Sequence, residues 1–180
     1  MERKIDPIWR NSMNFGAIGG IVMSLFRFFT YLGDSTFNNI SNLNFLILII
    51  LIVIGTRNLR ENIQGGQIKY SRAVRSGLLI SIFAGIIFGF YVMIEYTYVE
   101  PKLMDEFITL TEESWKNNPL LKDNQFKNMI DALKENASPM RFGFAEIINV
   151  SILGLIFSLI ISIFLKKEDF TGQFNQNTEQ

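Results

Sequence analysis

The chain contains no cysteine and no histidine among its 180 residues. The first absence excludes disulfides, thiolate nucleophiles and cysteine-ligated metals. The second excludes imidazole acid–base catalysis, Ser-His-Asp triads and most zinc or haem ligation. An excess of charge is missing too: 17 Lys and Arg balance 17 Asp and Glu, which argues against a nucleic-acid partner. Only Glu, Asp, Lys, Ser and Tyr remain as catalysts, so the expectation is a protein that is not an enzyme and carries no cofactor. Apolar residues, by contrast, are plentiful. They make up 48% of the chain, with 13% aromatic residues and a mean hydropathy of +0.22, a balance that points to a membrane.

A helix crosses hydrocarbon with roughly 20 mostly apolar residues. Four stretches are candidate spans, about 13–33, 38–56, 74–97 and 141–165. A soluble domain of this length lacks the layers needed to cover such runs. The second is the weakest, because Leu43 to Ile54 covers only ~18 Å at ~1.5 Å per residue. It must extend back through Asn38, Asn39, Ser41, Asn42 and Asn44, which hydrocarbon tolerates only if they face other helices, water or headgroups. A cleaved signal peptide fits the N-terminus poorly: the apolar stretch contains Arg27 and ends in Tyr31-Leu32-Gly33-Asp34 without an Ala-x-Ala-like site.

Lys and Arg give the orientation. Arg3, Lys4 and Arg10 precede the first span, and no Lys or Arg separates the first from the second. Arg57, Arg60, Lys69, Arg72 and Arg75 crowd the next connection, and Lys166-Lys167 follow the last span. The positive-inside rule places both termini and the 57–75 connection in the cytoplasm. The connection 100–140 then faces out, and it is acidic, with five lysines against eight acids. Its apolar residues recur at helical spacing, Leu103, Phe107, Thr111 and Trp115, then Phe126, Ile130, Leu133 and Ala137, so two amphipathic helices are expected, broken at Asn117-Asn118-Pro119. They cap the spans or lie on the membrane surface. Residues 168–180 form a polar tail, expected to be disordered.

Small residues mark where spans approach one another, since lipid removes the hydrophobic drive between helices. Ala73, Gly77, Ser81, Gly85 and Gly89 recur every fourth residue, Gly16 and Gly20 form a GxxxG, and Gly154, Ser158 and Ser162 continue the pattern. Arg27, Glu95 and Glu146 are the ionisable residues within or at the edge of spans. Arg27 lies within about 20° of Gly16 and Gly20 at 100° per residue, which turns it toward the helix-packing face. Three readings stand: a structural ion pair with Glu95 or Glu146, an arginine snorkelling to headgroups, or a polar pocket completed by Asn149 and Asn42. Gly65-Gly66 reads as a tight turn, because no Walker lysine pattern follows.

The basic stretch before Gly65-Gly66, then Ile68, Tyr70, Ala73 and Gly77, Pro101 after the third span, and Glu146 opening a span that ends in Lys166-Lys167 resemble a bacterial inner-membrane family catalogued as domain of unknown function 4199. The resemblance runs from about Phe15 to Lys167 and implies a four-span protein of the bacterial cytoplasmic membrane, with no activity attached. The expectation is therefore an all-α, four-helix membrane bundle with an external helical hairpin. Its partners would be the lipid bilayer and either another membrane protein or a second copy. A small-solute or lipid-headgroup transporter or channel is the alternative, against which stands the lack of an internal repeat relating the halves.

Overall fold

A computed structural model describes residues 6–32, 43–116 and 123–167. These residues are helical almost throughout, with no strand among them. The order is α1 (Pro7–Leu32), α2 (Asn44–Asn58) running into a π-helical turn at Leu59–Ile63, and α3 (Tyr70–Ile94) running into a second π-helical turn at Glu95–Val99. Then come α4 (Lys102–Lys116), α5 (Asp123–Asn136) and α6 (Pro139–Leu165). Pro7–Leu32, Tyr70–Val99 and Pro139–Leu165 are long and apolar enough to cross a membrane. Helix α2 has 15 residues, and the 38–42 stretch expected to lengthen it lies outside the described residues, as do the tail and the Asn117–Pro119 break.

The long helices start earlier than hydropathy suggests, because capping rather than apolarity sets their ends. Pro7 occupies a first helical position, where its missing N–H costs nothing, and Asp6 Oδ1 accepts the Ile8 N–H at 2.9 Å. Pro139 opens α6 in the same way, and Ser138 Oγ accepts the Arg141 N–H at 3.3 Å.

The chain divides into two compact units, Met1–Ile87 with Ile148–Gln180, and Phe88–Ile147. In the first, glycine lets helices touch. A methyl group on Gly16 would stand 2.5 Å from Phe83 Cβ and 2.7 Å from the Ile80 carbonyl oxygen, and one on Gly20 would stand 2.6 Å from Ile87 Cβ. These contacts climb both helices together, so α1 and α3 run parallel. Asn11 meets Asn58 while Gly19 meets Leu51, so α2 runs against α1. Ser158 fills the space beside Gly77 and Ser81 the space beside Gly154, so α6 runs against α3. The starts of α1 and α3 therefore share one end with the finishes of α2 and α6. There Ile8, Leu59, Ile68 and Ala73 form a small apolar core, and Ile68 and Lys167 exchange two backbone hydrogen bonds of 2.9 and 3.0 Å.

Along much of α1 and α6 burial is inverted relative to a water-soluble protein. Ser12, Gly16, Gly19, Gly20 and Ser24 of α1 are buried, whereas Ile18, Ile21, Val22 and Leu25 are exposed. On α6 Ser158 is 0% exposed while Phe164 is 79% exposed.

The second unit gathers the end of α3, its π-helical turn, α4, α5 and the start of α6. Tyr96 stacks on Phe142 with ring centres 5.0 Å apart, and Phe107 of α4 meets the same Phe142 edge-on at 5.0 Å. Helices α3 and α6 touch closely here as well: a methyl group on Gly143 would stand 2.7 Å from the Gly89 carbonyl oxygen. Lys134 Nζ of α5 pairs with Glu112 Oε2 of α4 at 3.2 Å. Both side chains are about half exposed, so this contact is worth ~1 kcal/mol at most.

Candidate functional site

The residues singled out for a polar cluster fall in both units. Arg27 and Asn149 belong to the first, and Glu95 and Glu146 to the second. Asn42 lies outside the described residues. Arg27 is half-buried, and its carbonyl accepts the Thr30 hydroxyl at 2.7 Å; Asn149 is exposed on α6. Glu95 is 2% exposed, at the point where α3 loosens into its π-helical turn. The Tyr91 hydroxyl, one turn back, donates to Glu95 Oε1 at 3.4 Å, and the Tyr91 ring stacks on Phe88. A single widened turn of this kind often marks a functional position in a helix, because it turns a side chain out of the regular register. Glu146 is half-buried, one turn after Phe142.

Of the small residues, Gly16, Gly20, Gly77 and Gly154 line the helix contacts of the first unit, and Gly89 those of the second. Gly85 is buried within α3. Ser81 Oγ donates to the Gly77 carbonyl at 2.9 Å and Ser158 Oγ to the Gly154 carbonyl at 2.5 Å. Each serine is thus satisfied within its own helix, and its Cβ packs on the glycine opposite.

A second polar group, at the shared end of the first unit, has no counterpart in the sequence reading. Asn62 Nδ2 donates to Asn58 Oδ1 at 2.6 Å, Asn58 Nδ2 donates to Asn11 Oδ1 at 2.7 Å, and Asn11 Nδ2 donates to the Gly55 carbonyl at 2.9 Å. The chain of amides runs from exposed Asn62 to Asn11, which is 5% exposed. Only the spacing of Asn58 and Asn62, one helical turn apart, hinted at it. Nearby on α2 the Thr56 hydroxyl is buried and has no hydrogen-bond partner among the described residues. Arg57 and Arg60 both reach Glu61 Oε1 at 2.9 Å, while Arg60 Nη1 also donates to the Leu165 carbonyl at 3.1 Å. The hydrogen bonds from Arg60 and then Arg57 hold the Glu61 carboxyl below the usual carboxylate range. Arg10, Arg57, Lys69, Arg72, Arg75, Lys166 and Lys167 all present exposed cations at this end.

The second unit holds an open groove of about 240 Å3 between α4, α5 and the first turns of α6. Phe107, Leu133, Ala137, Phe142 and Ala145 give it an apolar lining, with Arg141 and Asn136 at its side. Among the described residues, no three or more of His, Cys, Asp and Glu come together as a metal site.

Long apolar helices packed through glycine and serine, with their aliphatic side chains turned outward, define a helical protein suited to a membrane. The chain belongs to the family described as "Protein of unknown function (DUF4199)", whose profile matches residues 14–167. No curated protein and no solved structure matches it.

Proposed function

We propose that the protein is a multi-pass component of the bacterial cytoplasmic membrane, acting without catalysis as a structural or partner-binding element. In this reading α1, α3, α6 and α2 with the residues preceding it make four spans in one bundle, and α4 and α5 form a hairpin on the outer side. The observation that carries the reading is the inverted burial of α1 and α6, where serine and glycine face protein while isoleucine, leucine and phenylalanine face outward. Water would oppose such a surface, at about 25 cal/mol for each Å2 of exposed apolar area, whereas lipid does not. The exposed cations at the shared end support the reading that this end, with both termini, faces the cytoplasm.

Alkaline carbonate extraction of cell membranes tests the reading. The chain is expected to stay with the membrane pellet; release into the supernatant would overturn it. Native mass spectrometry of the detergent-purified chain tests the role, since a stoichiometric protein partner or second copy supports a binding element and a bound solute favours a transporter.

A further inference from the structure

The shared end of the first unit gathers cations that its own acids do not answer. The backbone pair between Ile68 and Lys167 sets Lys69 beside Lys166 and Lys167, which come from segments far apart in the chain. Arg72 and Arg75 follow Lys69 at three-residue steps into α3, whose first turn holds no acid. Positive side chains at that spacing repel one another, and the positive end of the helix dipole adds to the repulsion.

All five side chains are exposed, and none of them forms an ion pair among the described residues. The two acids described at this end are already engaged. Asp6 caps α1, and Glu61 receives both Arg57 and Arg60. An anion from outside the chain would offset the repulsion, and a phosphate suits the mixture of guanidinium forks and ammonium groups.

Depth in the membrane selects the source of that phosphate. Lys69, Arg72 and Arg75 lie at the start of α3, and Lys166 and Lys167 follow the end of α6. On the reading of α3 and α6 as spans, all five stand at the level of the inner-leaflet headgroups, where basic clusters attract anionic lipid. Directing insertion requires such charges only near the ends of spans. The backbone pair does more, because it holds two cationic segments together.

We propose that this cluster binds the phosphate of an anionic phospholipid in the cytoplasmic leaflet. The inference rests on the membrane reading and names a partner for the end which that reading turns inward.

The test uses the full chain in vesicles of phosphatidylethanolamine and phosphatidylglycerol, released gently and weighed by native mass spectrometry. The wild type is expected to retain phosphatidylglycerol in preference to phosphatidylethanolamine. Combining Lys69→Gln, Lys166→Gln and Lys167→Gln spares the backbone pair and should lower the retained phosphatidylglycerol by about tenfold or more. Combining Lys102→Gln, Lys116→Gln and Lys127→Gln removes equal charge from exposed positions of the second unit and should leave retention unchanged. Arginine at 69, 166 and 167 should preserve binding, which separates loss of charge from loss of fold. Equal retention in the wild type and both glutamine triples overturns the proposal, as does equal loss in the two triples or loss in the arginine triple. Displacement of the lipid by millimolar inorganic phosphate assigns the cluster to a soluble anion and overturns the lipid source. Recovery in the vesicle fraction is scored separately, so a chain that never enters vesicles refutes the membrane reading, whereas one that enters and shows no preference for phosphatidylglycerol refutes this inference alone.

Discussion

Ser158 of α6 occupies the space that a side chain on Gly77 of α3 would need, and Ser81 stands in the same relation to Gly154 one turn along. The two pairs bring antiparallel helices into contact with small groups only, and the serine hydroxyls bond back along their own helices. Close approach of this kind supplies dispersion contact where lipid supplies no hydrophobic drive.

Gly77→Leu should therefore force α3 and α6 apart and lower stability by ~1–3 kcal/mol. Ile156→Leu, on the exposed face of α6, should change it by less than ~0.5 kcal/mol. Thermal unfolding of the two variants in the same detergent compares them; equal effects would deny the seam its role.

The amide chain gives a second prediction. Asn11→Ala removes the acceptor of Asn58 Nδ2 and one of the hydrogen bonds to the Gly55 carbonyl, which keeps the Leu59 N–H, at a cost of ~0.5–1.5 kcal/mol. A double-mutant cycle with Asn58→Ala should return a coupling of about 0.6 kcal/mol or more, the range found for hydrogen bonds between membrane helices. A coupling near zero would mean that the two amides act independently.

Arg60 joins the 57–63 segment to the end of α6 through the Leu165 carbonyl, beside the Ile68–Lys167 backbone pair. Arg60→Gln should accelerate hydrogen exchange of the Ile68 and Lys167 amides severalfold while leaving the middle of α3 protected. Unchanged exchange would show that the backbone pair holds without the arginine.

Glu61 carries the pH dependence of the same corner. Its folded pKa is depressed, so the contact contributes at and above the ordinary carboxylate pKa and is lost as pH falls through the folded value. A carbon-13 titration of Glu61 should give a midpoint below the ordinary range, moving back up in Arg60→Gln. Because the group lies at the surface, about half exposed, the effect belongs to local order more than to global stability.

How much of this was legible in the sequence differs by element. The length and apolarity of α1, α3 and α6 are visible in hydropathy, because a membrane helix announces itself residue by residue. The start of α1 at Pro7 is not, since Arg10, Asn11 and Ser12 look like a polar leader until Asn11 and Ser12 are seen bonded to Gly55 and Ser76. The four-residue recurrence of Gly77, Ser81 and Gly85 can be read along one helix, but which residue opposes each depends on register between helices, which no single segment encodes. Ile68 and Lys167 pair through backbone atoms alone and leave no side-chain signature. Glu95 stands out in the sequence as an acid at the edge of an apolar stretch, whereas the widened turn it opens and the hydroxyl of Tyr91 that reaches it come from the backbone path.

The central claim, a membrane bundle whose shared helix ends face the cytoplasm, is tested most directly by accessibility, for which the absence of cysteine provides a clean background. Single cysteines would replace Thr36, Asn118 and Gln67, the last chosen because Gly65 and Gly66 adopt positive φ, where a larger side chain is strained. With a membrane-impermeant maleimide on intact cells, Thr36→Cys and Asn118→Cys should label, and Gln67→Cys should label only after the membrane is opened. Labelling of Gln67→Cys in intact cells, with the other two protected, would contradict the orientation; equal labelling of all three would contradict the spans.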